Sequence, residues 1–149
     1  MGNFAPVAIN STVLPGARRP LLVSPHHRIL IEGYHTQLLF GEDEVLASAV
    51  HMIDGYDIRR LVRPLVSYIH LMLDRHEIIY AEGAATESFH AADMGLAALS
   101  PEARESMYQT FPQLRADIGA YGPAARRCLR RHETLLLMAA QRPSALLAA

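Results

Sequence analysis

The first half of the chain carries short apolar runs with the two-residue period of half-buried strands. "PVAIN" is a short strand, and "PGARRP" then breaks the chain with two prolines and a glycine. "LLVS" and "HRILIEG" read as strands. "TQLLF" and "EVLASAV" flank "GED", a pattern that predicts a hairpin. "HMIDGYD" predicts a turn at Asp54-Gly55. The strongest strand signals are "LVSYIHLML" and "HEIIYAEG", joined around Asp74-Arg75. Alternation along the first of these predicts that Leu65, Ile69, Leu71 and Leu73 share one buried face.

After "GAATESFH" the period becomes helical. "AADMGLAAL" predicts a short helix. "SPEARESMYQTF" predicts a second, with Ser100 as N-cap, Pro101 at the first helical position, Glu102 in the first turn and Pro112 as terminator. "PAARRCLRRHETLLLMAA" predicts a third helix from Pro123, with an apolar stripe through Ala125, Cys128 or Leu129, His132, Leu136 and Ala139. The expected fold class is mainly β with a C-terminal helical segment. A β domain is expected over residues 1–90 and a helical extension over 91–149.

Composition narrows the function. A chain of 149 residues, half of them hydrophobic, can bury one proper core. A net charge of −1 gives no electrostatic reason to bind nucleic acid or an anionic membrane. All 14 basic residues are arginine, and Arg126, Arg127, Arg130 and Arg131 fall largely off the third helix's stripe, as a solvated face. Cys128 is the only cysteine, so neither an intrachain disulfide nor a cysteine zinc motif is expected. The N-terminus lacks a secretory signal, Met-Gly is a poor acylation match, and no apolar run reaches membrane-spanning length. The apolar C-terminal stretch is interrupted at Gln141-Arg142-Pro143.

Eight histidines then carry the candidate chemistry. His35 in a turn, His90 in a linker and His132 on the helical stripe read as structural. His70 and His76, with Asp74 and Glu77 beside them, resemble a metal set. A two-residue loop at Asp74-Arg75, the commoner kind, points the two rings to opposite sides of a sheet, whereas a three-residue loop would bring them to one face. The adjacent His26 and His27 diverge for the same reason. His27 suits acid–base work: Ser24 stands three residues before it, Pro25 sets the turn into the strand, and imidazole can pass a proton to a leaving amide nitrogen near neutrality.

Together, "LLVSPHHRILI", "EVLASAVHMIDG" and "YIHLMLDRHEIIYAEGAATESF" resemble the bacterial branch of the Hint (Hedgehog/intein) domains over about residues 5 to 90. Tyr68, His76, Ala81 and Gly83 fall at matching places in the block that ends inteins. "SPHH" resembles the T-x-x-H block, with Ser24 in place of Thr and His27 as its histidine; His26 is the alternative if the register slips. The resemblance implies a compact, horseshoe-like β fold. It also implies self-cleavage of a peptide bond through an N-to-S or N-to-O acyl shift, with Ser24, His27, Tyr68 and His76 at the site and no cofactor or metal.

Two departures shape the expectation. No Cys or Ser opens a block before residue 5, and family members carry their nucleophile strand upstream of "PVAIN". "GAATESF" stands where splicing inteins end in His-Asn, so splicing is not expected. The chain is therefore expected to be an N-terminally truncated Hint domain, inactive by itself, whose nucleophile comes from a flanking or separately encoded N-terminal segment. The rival expectation is a non-catalytic β remnant acting as a binding or structural module. In either case missing strands would leave a sheet edge open to homo-oligomers.

Overall fold

The structure, a computed structural model, describes residues 4–142 apart from 95, 97 and 98. The Met-Gly start, part of the "AADMGLAAL" helix and the tail beyond Arg142 lie outside the described residues.

Strands β1 (Val7–Ile9), β2 (Leu21–Val23), β3 (Arg28–Glu32), β4 (Glu44–Ser48), β5 (Ile58–Arg60), β6 (Ile78–Ala81), β7 (Ala84–Glu87) and β8 (Arg127–Cys128) form two sheets. A three-stranded antiparallel sheet has the order β2-β1-β5, and a five-stranded sheet the order β6-β7-β3-β4-β8. In the smaller sheet β1 and β2 alternate as read, with Val7, Ile9, Leu21 and Val23 buried and Leu22 facing outward, and β5, not read as a strand, adds the buried Ile58. In the larger sheet Val45, Leu46 and Ala47 of β4 are all buried, the unbroken apolar run of a strand covered on both faces. Val45 and Ala47 join Ile29, Leu129 and Leu137 in the main core.

The β6–β7 hairpin turns at Glu82 and Gly83, both at positive φ (52° and 87°), the geometry of a tight two-residue hairpin. Gly83 lies against Gly16 so closely that a Cβ on it would stand 2.3 Å from the Gly16 carbonyl oxygen. The Arg18 amide donates to the Glu82 carbonyl at 2.8 Å, and Arg19 pairs with the Glu82 carboxylate at 3.1 Å. These contacts clamp the hairpin to the loop after β1.

Among the described residues there are, besides short 3-10 turns, four α-helices: α1 (Tyr34–Phe40), α2 (Ala91–Met94), α3 (Pro101–Thr110) and α4 (Arg131–Gln141). Helix α3 is as read, with Ser100 Oγ accepting from the Ala103 amide at 3.1 Å. Helix α1 corrects the predicted "TQLLF" strand, and moves His35 from a turn into a helix. A five-residue apolar run suits either state; the flanking glycines decide it. Gly41 closes the helix in the left-handed conformation (φ 68°), its amide bonding the Gln37 carbonyl at 2.9 Å. With α1 and the C-terminal helices, helical residues outnumber strand residues among those described, so the β body is embedded in a mixed fold.

Helix α4 begins at Arg131, not near Pro123. The preceding stretch pairs in parallel with β4 (Val45↔Arg127, Leu46↔Cys128), so Cys128 sits in a strand. Glu133 then receives the Arg130 amide at 2.8 Å. The later start rotates the buried stripe. Thr134 and Leu137 face the core, whereas His132, Leu136 and Ala139 face outward. Two of the four arginines are also bound in pairs, Arg126 with Glu44 and Arg127 with Glu133 at 2.7 Å.

The largest correction concerns "LVSYIHLML", one of the two strongest strand signals: residues 61–77 join neither sheet, whereas "HEIIYAEG" supplies β6 from Ile78. The parity was right and the direction wrong. Burial alternates from Leu65 to Leu73, but the side holding Leu65, Ile69, Leu71 and Leu73 is the exposed one, at 84%, 86%, 62% and 39%. Val66, Tyr68, His70 and Met72 take the inner side, because His70 and Met72 pack toward Phe89 and its neighbours.

Candidate functional site

The turn at Ser24-Pro25-His26-His27 closes with the His27 amide on the Ser24 carbonyl (3.1 Å). The Ala49 amide then bonds the His27 carbonyl and the Val50 amide the Pro25 carbonyl, at 2.9 and 2.8 Å. These bonds extend the β3–β4 ladder back to His27 and hold its backbone on the sheet rather than on a loose loop. His26, one residue earlier, points to solvent.

His27 borders a cavity of about 220 Å³ that Ser24, Tyr68, His70, Thr86 and Glu87 also line. Its Nε2 is buried and has no hydrogen-bond partner. Burial pushes the His27 pKa below its ordinary value; the Glu87 carboxylate opposes this, and His70 and Arg28 add to it. The ring is thus poised neutral, able to take a proton and then to give it up readily. Burial lowers the pKa of His70 as well, and raises that of the Tyr68 phenol. The Tyr68 hydroxyl donates to the Phe4 carbonyl at 2.5 Å, tying the 61–77 segment to the start of the chain.

Three of the sequence-predicted site residues, Ser24, His27 and Tyr68, therefore line one cavity, and His76 does not. His76 borders a separate depression with Tyr121 and Arg126. Its Nδ1 accepts from the Ala125 amide at 2.8 Å, so its Nε2–H is the group that donates to Glu87 Oε2, at 2.9 Å. Glu87 links the two places. It is buried, it lines the His27 cavity, and its other oxygen receives the Arg28 amide at 2.9 Å. The Arg28 guanidinium closes the network onto Glu87 (3.3 Å) and Asp93 (3.2 Å).

Sequence reading missed Thr86 and Glu87, and gave His90 as a structural histidine in a linker. All three fall in or beside "GAATESFH", which reads as the passage between two halves, yet its first part is β7, paired with β3 and β6. His90 is buried, donating from Nε2 to the Gly122 carbonyl (2.9 Å) and accepting at Nδ1 from the Asp93 amide (3.2 Å). Its ring meets those of His76 and Tyr121 edge-on, at 5.0 and 5.3 Å. The usable signal was the hairpin turn at Glu82-Gly83, which requires a second strand carrying Thr86 and Glu87. Cys128 is half-buried, and burial raises its thiol pKa, so it is no ready nucleophile. Among the described residues no group of three or more His, Cys, Asp and Glu is placed to hold a metal ion.

A family model described as "Hint domain" matches residues 1–93, well over half of the chain. No curated protein and no solved structure matches it.

Proposed function

The chain belongs to the Hint domain family, and on that premise we propose that residues 1–149 hold the histidine side of an autoprocessing site whose nucleophile comes from a flanking or separately encoded N-terminal segment. The observation that carries this reading is the His27 Nε2, buried and without a partner, on a residue that lines one cavity with Ser24 and Tyr68. In this reading the nucleophile's sulfur or oxygen adds to the carbonyl carbon of the peptide bond before it, and its proton passes to His27 Nε2. The C–N bond then breaks, and the same proton goes to the departing amine nitrogen. A thioester or ester and a free amine result, and water or a second nucleophile releases the acyl group. Ser24 shapes the turn, Tyr68 anchors the cavity wall, and His76 holds Glu87.

The exposed stripe on residues 65–73 supports the missing partner. An apolar, ladder-free segment that also walls the His27 cavity is a natural place for an added strand. The same stripe favours the rival reading, a binding module without chemistry, or pairing of two copies through this edge. Supplying a Cys-bearing N-terminal segment, fused or in trans, separates the two. Thiol-dependent release of the preceding protein, undiminished by EDTA, is the expected result. Tight association with no release in any thiol would leave the binding module standing and the catalytic reading refuted.

A further inference from the structure

We propose that the Thr86 hydroxyl is the hydrogen-bond donor to the carbonyl oxygen of the peptide bond that is cut, working opposite His27 at the amide nitrogen; this rests on the autoprocessing reading above. Four described side chains have a buried polar atom with no partner, and two of those atoms, Thr86 Oγ1 and His27 Nε2, belong to residues lining one small cavity. Buried polar atoms are nearly always bonded, so a pair of orphans at one cavity points to a polar group that binds between them. Thr86 is fully buried, so its hydroxyl has no recourse to bulk water.

The register places the two side chains together. Thr86 stands opposite Ile29 across β3–β7. Residues directly opposed on antiparallel strands share a face, as do residues two apart on one strand. The β3–β4 ladder continues back to His27 through the Ala49 amide, so His27 keeps the alternation of β3 and lies on the Ile29 side; Thr86 and His27 are then diagonal neighbours on one face, with Cβ atoms somewhat less than roughly 7–8 Å apart. That spacing accommodates one planar amide, its oxygen toward the hydroxyl and its nitrogen toward the imidazole. Of the neighbouring hydroxyls, that of Tyr68 already donates to the Phe4 carbonyl at 2.5 Å, and Ser88 Oγ accepts from the Glu77 amide at 2.9 Å. As the nucleophile adds, negative charge moves onto the carbonyl oxygen, where a fixed donor in a dry cavity is most effective.

The test uses the full chain supplied with the Cys-bearing segment. Thr86→Val keeps the shape and removes the hydroxyl; Thr86→Ser keeps the hydroxyl. Thr86→Val is expected to slow thiol-dependent cleavage by about 10²-fold, with Thr86→Ser within about tenfold of the parent. The Tm of the unsupplied chain should not fall in Thr86→Val, because the hydroxyl it loses has no partner there. Cleavage of Thr86→Val at the parent rate overturns the Thr86 assignment and leaves the autoprocessing reading intact. A lowered Tm in Thr86→Val overturns it too, by showing that the hydroxyl is bonded within the fold. Absence of cleavage in the unsubstituted, supplied chain refutes the autoprocessing reading, and the Thr86 assignment with it.

Discussion

His27 and His76 look alike in the sequence: each precedes a strand, and each is followed by a charged residue. Their surroundings in the fold are opposite. His76 has both ring nitrogens bonded, to the Ala125 amide and to Glu87, and its ring packs against His90, which is equally saturated. His27 keeps its Nε2 unbonded beside a cavity. A histidine whose donor and acceptor are both occupied is scaffold, because any proton it moved would break a bond that holds the fold. A histidine held only by its backbone, with a buried free nitrogen, is equipped to meet a substrate.

The sharpest way to break this comparison is to delete each ring. His76→Ala leaves the buried Glu87 carboxylate short of a donor and the Ala125 amide without its acceptor, and is expected to destabilise the chain by about 3 kcal/mol. His27→Ala removes no side-chain bond and should cost about 1 kcal/mol or less. Urea unfolding of the two variants measures the difference, and equal losses would end the distinction between scaffold and reagent.

Acid provides the next contrast. His27, His70 and His51 all have pKa values lowered by burial, from an ordinary value near 6.5. Below that value the unfolded chain binds protons that the folded chain resists, so stability is complete above it and is lost as the pH falls toward the folded-state values. The urea midpoint should therefore drop between about pH 7 and pH 5, and His27→Gln should flatten part of that slope. A midpoint independent of pH over this range would show that these rings are not desolvated as described.

The smallest effect on stability is expected on the open stripe. Ile69→Asp lies on an exposed surface and should change the unfolding free energy by no more than about 0.5 kcal/mol. It should nonetheless weaken capture of a nucleophile segment supplied in trans, measured by calorimetry. Unchanged capture would move the docking edge elsewhere.

The contrast between the two histidines was not legible in the chain, but much of the fold was, and the misses share a cause. β1, β2, β3, β4 and α3 were readable because alternation or capping is local chemistry. The turn before β3, on which His27 sits, was readable because Pro25 marks it. The stripe of Leu65, Ile69, Leu71 and Leu73 was placed on the correct side of its own segment and the wrong side of the molecule; period gives parity but says nothing about which face meets the core. Helix α1 was lost to an apolar run too short to discriminate, although Gly33 and Gly41 bracket it. β8 was hidden within a helical pattern, because pairing with β4 is a long-range event that propensity cannot report. Thr86 and Glu87 became visible only when the hairpin brought β7 beside β3, and whether a buried polar atom has a partner is a property of the fold alone.

The central claim is that His27 is the amide-activating group, and the rate of thiol-dependent cleavage in the chain supplied with a Cys-bearing segment tests it most directly. His27→Ala should lower that rate by roughly 10²–10⁴-fold, while His35→Ala, on helix α1 away from the cavity, should leave it within about twofold of the parent. Equal rates for the two variants would contradict the assignment.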